Sequence, residues 1–363
     1  ESSAVGSALR SGRRGRAFES PLSDQKHTDI LSHYATNVCV LFFITNTLLM
    51  NERIKGTLCG ILAAIFYGTN PLGAINLYKD GLTANSVLVY RFGIAAMILG
   101  ITMLAQRKSF TINLHELKIL ICLGVLMGAS SSTLYISFNY MDVGIASTLL
   151  FVYPVMVAVI MAAMFHEKVT KTTLLSIMLC ICGIMLLNQT SDGTTLSILG
   201  ITLVMISSLT YAVYIVVVNK SSMRMSSIKL TFYVLLFGVI TILCINAAMN
   251  ESTQMLTTIK QWAYAVQLAV MPTVLSLILM VVAVHNIGST PTAIMGAIEP
   301  ITAVAIGVLV FGENFTLRLA FGIVLILTSV LLIICGKSLT PHKITTVINS
   351  LGRSIAKTWR WKS

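Results

Sequence analysis

Charged side chains are scarce in this chain: they make up 10% of its 363 residues, against about 25% in a typical soluble domain. A soluble fold would need a polar exterior that such a composition does not supply. The few charges lean one way, with 25 Lys and Arg against 13 Asp and Glu, a formal balance of +12. That balance would raise nucleic acid as a partner, but no RNA- or DNA-binding motif accompanies it, and no nucleic-acid partner is expected. Metal-ligand spacing is missing too. None of the seven Cys forms a Cys-x-x-Cys pair, and Cys180 and Cys182 are two apart, on different faces of a helix. With Cys39, Cys59, Cys122, Cys244 and Cys335 they read as small packing residues. No Gly-x-x-x-x-Gly-Lys-Ser/Thr loop is present, which argues against ATP-driven work by this chain alone. His166-Glu167 runs on into Lys168-Val169-Thr170 and so fails the His-Glu-x-x-His pattern, and no intramembrane Asp pair occurs. No catalytic residue, metal or cofactor is therefore assigned, and an enzyme is not expected.

What the chain does have is apolar sequence. Hydrophobic residues make up 56% and the mean hydropathy is +0.86. About 20 mostly apolar residues are needed for a helix to cross the hydrocarbon core. Such runs fall at about 57–78, 84–105, 116–138, 143–165, 172–189, 196–218, 229–249, 262–285, 290–311 and 316–336. Each is continuously apolar, whereas barrel strands alternate over about ten residues. The expected fold is an all-α polytopic membrane protein with ten transmembrane helices. The linkers 139–142 and 286–289 are so short that the helices they join must be antiparallel.

The basic residues give the orientation. With the start of the first span on the inside, sixteen Lys and Arg from Arg53 onward face inward, and only Lys79, Lys260 and Arg318 face outward. Positive residues concentrate on the cytoplasmic side, so both termini are expected to be cytoplasmic, in a multi-pass protein of the cell membrane. Residues 1–49 are an N-terminal extension in which Val38 to Leu49 is too short to span comfortably. The expected native start is Met50; a signal peptide fits less well because no small-residue cleavage site follows. Residues 338–363 form a basic cytoplasmic tail ending in Trp359-Arg360-Trp361-Lys362, which either lies on the inner membrane surface or frays.

The two halves resemble each other. Pro154, Phe165, Glu167 and Thr170 recur as Pro300, Phe311, Glu313 and Thr316 at a constant offset of 146, and Gly56 and Tyr67 match Gly200 and Tyr211 at an offset of 144. Each half holds five spans, an odd number, so the second must enter from the opposite side. Two inverted five-helix repeats, 54–189 and 196–337, are the expected plan, and inverted repeats are common in secondary transporters.

Three segments carry a family likeness: Tyr153-Pro154 with Phe165-His166-Glu167, Glu299-Pro300 with Phe311-Gly312-Glu313, and Tyr90-Arg91-Phe92. With the ten spans and the repeat, residues 54–337 resemble the EamA-type transporters of the drug/metabolite transporter superfamily. The resemblance implies a ten-helix carrier, often an exporter of amino acids, metabolites or drugs across the inner or plasma membrane. It leaves the substrate open.

Ionisable groups at membrane depth usually line a cavity or find a partner. Arg91 lies about 10 Å into the second span and Glu299 close to the middle of the ninth, at about 1.5 Å per residue. Glu299 is expected to bind a substrate amine or a coupling proton or other ion. Arg91 is expected to bind a substrate carboxylate or to gate the outer side. The competing readings are a structural ion pair between the two, or an Arg reaching for the headgroups. Pro154 and Pro300 are hinge candidates, joined by Pro71 and Pro272. Tyr67, Asn70, Ser131, Tyr135, Tyr153, Tyr211 and Tyr214 are candidates for lining a small-molecule pocket. Gly56-x-x-x-Gly60 and Gly124-x-x-x-Gly128 read as packing sites, and His285 as a solvated helix end. Glu167 and Glu313 are expected to cap the helices that follow them. The expected partners are a small-molecule substrate and the lipid bilayer. A membrane receptor or assembly factor is the rival reading, and it predicts binding without flux.

Overall fold

A computed structural model describes residues 52–166, 170–187, 197–221 and 225–338. The N-terminal extension, Glu167 and the basic tail lie outside them. The chain divides into two units, 1–55 and 56–363. Of the first, Glu52–Lys55 are described, as the opening of a helix. The rest of the account concerns the second unit.

The regular structure among the described residues is helical. In order, the helices are α1 Glu52–Gly68, α2 Asn70–Lys79, α3 Ala84–Ala105, α4 Leu114–Ser137, α5 Val143–Leu150, α6 Tyr153–Phe165, α7 Lys171–Leu187, α8 Ile198–Lys220 and α9 Ser227–Ala248. They continue as α10 Ile259–Ala269, a π-helical turn Val270–Leu275, α11 Ser276–Ile287, α12 Ser289–Met295, α13 Ile298–Phe311 and α14 Leu317–Ser338. Among the described residues, nine helical segments are long and apolar enough to cross a membrane, several of them composed of two shorter pieces. The shorter apolar helix α7 is the tenth segment of the sequence pattern.

Several spans start where the sequence offers a capping side chain. Thr83 accepts from the Ser86 amide, Ser226 from that of Lys229, and Asn113 and Thr258 form reciprocal capping boxes with Glu116 and Gln261. These side chains satisfy amides that have no partner inside the helix. Large apolar side chains such as Met97, Leu104, Met178 and Leu309 are exposed on the outside. Arg91, Asn85, Ser130, Thr148 and Ser176 are buried inside. An apolar exterior over an interior that holds polar side chains suits a lipid surround, where polar groups must be satisfied internally.

Small residues set the helix contacts. A β-carbon on Gly183 would lie 3.1 Å from the Gly322 carbonyl oxygen, so α7 and α14 touch backbone to backbone. Beside them Ser176 donates to the Ser329 carbonyl at 2.6 Å and Ser329 returns a bond to that of Ser176 at 2.8 Å. Ser130 of α4 and Ser207 of α8 exchange bonds in the same way, at 2.9 and 2.7 Å. A β-carbon on Gly56 would meet Asn286 and Ile287, and one on Gly128 would meet Thr241, so both glycine pairs serve close packing.

Contacts between helix ends sort the loops into two faces. Asp80 pairs with Lys260 at 3.4 Å, Lys79 sits over the Phe311 ring, Gln254 bonds Thr83 and Ser86, and Arg318 donates to the Leu186 carbonyl. All of these belong to what we term the Asp80 face. Lys229 donates to the Thr111 carbonyl and Lys220 lies over the Phe165 ring, on the opposite, Thr111 face. The Phe165 and Phe311 ends of the two related segments thus lie on opposite faces.

One expectation is corrected. Glu313 does not cap the helix that follows it. Its carboxylate instead accepts the amides of Val143 at 2.7 Å and Gly144 at 3.2 Å, at the start of α5 in the other half of the chain. Gly312, in the left-handed region at φ +72°, ends α13 and turns Glu313 back over Gly307. A carboxylate at the loop edge before α14 suits a local cap, but the returning backbone carries the side chain the other way.

Candidate functional site

Three spans are broken at mid-length, each just ahead of a proline. Asn70-Pro71 opens α2, Tyr153-Pro154 opens α6, and Glu299-Pro300 lies in the first turn of α13. Proline lacks an amide hydrogen, so it is tolerated in a first turn and not in the interior. Each break therefore presents the residue before its proline from the start of a half-helix. The breaks are also neighbours. A β-carbon on Gly68 would lie 2.7 Å from the Glu299 carbonyl oxygen, and one on Gly296 would lie 3.9 Å from the Phe151 ring. Pro154 and Pro300 thus mark junctions between half-helices.

Carbonyls orphaned by proline are satisfied by neighbouring hydroxyls. Pro154 leaves the Leu150 carbonyl without its helical donor, and Ser208 of α8 donates to it at 3.1 Å. Pro272, in the π-helical turn, leaves the Leu268 carbonyl, and Thr273 donates to it at 3.0 Å.

Thr273 also anchors Arg91. The Arg91 Nε donates to the Thr273 hydroxyl at 3.0 Å and Nη1 to the Tyr135 hydroxyl at 2.8 Å. The Tyr135 hydroxyl in turn donates to Asn70 Oδ1 at 3.2 Å. The guanidinium lies over the Tyr135 and Phe92 rings at 5.5 and 5.6 Å. Arg91 is only 5% exposed, which rules out reaching for the headgroups.

Glu299 differs. It is half-buried, and among the described residues its carboxylate has no hydrogen bond and no ion pair, with Arg91 or otherwise. The structural ion pair weighed from the sequence is not formed. The carboxylate instead interacts electrostatically with Arg91 and with the phenols of Tyr67, Tyr153 and Tyr211. These rings form a packed set: Tyr153 meets Tyr211 edge-on at 4.7 Å and Phe151 at 5.8 Å, and Tyr211 stacks on Tyr214 at 5.7 Å. Tyr67 and Tyr211, which the internal repeat pairs, both lie in electrostatic range of Glu299.

The structure thus brings together Glu299, Tyr67, Tyr153 and Tyr211 on one side and Arg91, Tyr135 and Asn70 on the other. Ser131 lies one turn from Tyr135 on the same face of α4. Tyr214 stands at the margin, among the partly buried side chains packed against Leu120 and Leu123. Sequence reasoning missed Thr273, Ser208 and Gln267. Gln267 donates to the Thr69 hydroxyl at 3.4 Å beside the break in the first span, and its Oε1 is buried without a partner. A hydroxyl directly after Pro272 was the one available signal. Among the described residues no three His, Cys, Asp or Glu side chains converge as a metal site would require.

Against known families, the model of the EamA-like transporter family matches residues 54–189 and again 198–335. The chain belongs to this family. Within it, an uncharacterized transporter of Archaeoglobus fulgidus is 29% identical over 191 residues, 53% of this chain and 67% of that protein. The uncharacterized transporter YetK of Bacillus subtilis is 24% identical over 191 residues, 51% of this chain and 57% of that protein. An uncharacterized transporter of Synechocystis is 27% identical over 217 residues, 58% of this chain and 64% of that protein. The matches thus span between about half and two thirds of these relatives. A solved crystal structure superposes with a TM-score of 0.57 at 15% identity, covering 77% of this chain and 96% of its own, which shows a shared fold alone. This EamA chain is a multi-pass membrane protein of a transporter family.

Proposed function

We propose that the chain is a secondary transporter that moves a small solute bearing a protonated amine, by alternating access between two inverted five-helix repeats. The observation that carries this is the Glu299 carboxylate, without a hydrogen bond or ion pair among the described residues, at the meeting point of three broken helices and in electrostatic range of Tyr67, Tyr153 and Tyr211. A charge in a water-poor interior is expensive unless it is neutralised. A proton or a cationic ligand does this, and tyrosine faces attract cations. One group that accepts either partner is the simplest coupling device for exchange.

Ten spans, repeats at 54–189 and 196–337, and a solute path past the breaks in the first, fourth and ninth spans complete the reading. The placement of the Phe165 and Phe311 ends on opposite faces supports the inversion. The basic asymmetry supports a cytoplasmic Thr111 face with both termini there. Export of an amino acid, metabolite or drug across the cell membrane is the family-level expectation carried to this chain. Arg91, bonded through Nε to Thr273 and through Nη1 to Tyr135, is an anchor of the site.

The experiment is counterflow in proteoliposomes. Amines, amino acids and cationic drugs that shift the thermal midpoint of the purified protein are loaded inside, and uptake of labelled solute is followed. A transient overshoot supports a carrier. Saturable binding with no overshoot for any hit contradicts it and leaves a receptor.

A further inference from the structure

The Glu313 carboxylate spans the two halves of the chain at the Asp80 face. It leaves the loop between α13 and α14 and takes the first two amides of α5, at 2.7 and 3.2 Å. The seat is shaped for it. Gly307, one turn before the end of α13, leaves the space in which the carboxylate lies, and any β-carbon there would collide with its oxygens. Gly144 also makes room, since a β-carbon there would lie 3.1 Å from Oε2. The Glu313 amide bonds the Gly307 carbonyl at 3.0 Å and aims the side chain.

The bond reaches the two segments that carry the site. At their far ends, α5 leads into the Tyr153-Pro154 break, and α13 begins beside Glu299. Opening the Asp80 face by separating the fourth and ninth spans requires these two bonds to break. Carboxylate-to-amide bonds at a helix start are charge-assisted and reinforced by the helix dipole.

We propose that Glu313 is a latch between the two repeats, holding the fourth and ninth spans together at the Asp80 face and releasing them when that face opens. The proposal rests on the transport reading for its purpose, though not for its test.

Spin labels on Cys introduced at Tyr140 and Phe315, both exposed, report the gap across the latch in a background with the seven native Cys replaced. The full-length chain in lipid nanodiscs is expected to show one short distance. Glu313→Ala should raise the ratio of long to short distances roughly tenfold, the loss of one charge-assisted bond or more. Gly307→Ala should do the same with Glu313 intact, because it evicts the carboxylate while favouring the helix. Glu313→Gln, which keeps an acceptor oxygen, should fall between. An unchanged distribution in well-folded Glu313→Ala overturns the latch. If that variant does not fold, unchanged distributions in both Gly307→Ala and Glu313→Gln overturn it. The distances need no solute, so the latch can fail while flux is normal and can hold where no flux is found.

Discussion

The two ionisable groups at membrane depth have opposite fates. Arg91 donates to Thr273 and Tyr135, lies over two rings and is nearly inaccessible. Glu299, across the same interior, has no hydrogen bond or ion pair among the described residues and keeps part of its surface open. If the pair existed only for stability, the two charges would satisfy each other. Among the described residues, the guanidinium is held by two neutral hydroxyls and the carboxylate is left without a bond. On the proposed reading Arg91 belongs to the scaffold and Glu299 is available to a ligand.

The contrast yields expectations that can break it. The largest concerns Glu299→Gln, which should lower coupled flux by roughly hundredfold or more, about 2.7 kcal/mol in barrier, with the thermal midpoint little changed. Normal flux in this variant would remove the distinction. The reverse is expected at the other pole. Arg91→Ala strips the bonds to Thr273 and Tyr135 and should lower stability by about 3 kcal/mol, read as a fall in the unfolding midpoint in detergent. An unshifted midpoint would mean that the network is ornamental.

A smaller effect sharpens the account of the breaks. Ser208→Ala leaves the Leu150 carbonyl without its substitute donor and should cost about 0.5–1 kcal/mol. The smallest is expected at the latch, where Glu313→Gln keeps an acceptor oxygen for the Val143 and Gly144 amides but loses the charge, and should lengthen the spin-label distances less than Glu313→Ala does.

Much of this was legible in the sequence for definite reasons. Apolar run length located the spans, and the dipeptides Asn70-Pro71, Tyr153-Pro154 and Glu299-Pro300 marked the breaks, because proline at a half-helix start is a local property. Tyr67 and Tyr211 stood out through the repeat. The contents of the network did not. Thr273 matters because Pro272 frees one particular carbonyl while Arg91 arrives from another span, and lateral packing of that kind leaves no periodic trace. Gln267 reads as an ordinary polar residue until the break in the first span is laid against it. Glu313 was assigned to the wrong helix because spacing along the chain reports only local neighbours.

The most direct test is proton release on binding. Once the thermal screen supplies an amine that binds, it is titrated into the purified protein in weakly buffered solution near neutral pH, with a pH-sensitive dye. The account expects protons to leave as the amine enters the site, and expects Glu299→Gln to show none. Equal release from both proteins, or tight binding to the variant with no release from either, would contradict a site centred on this carboxylate.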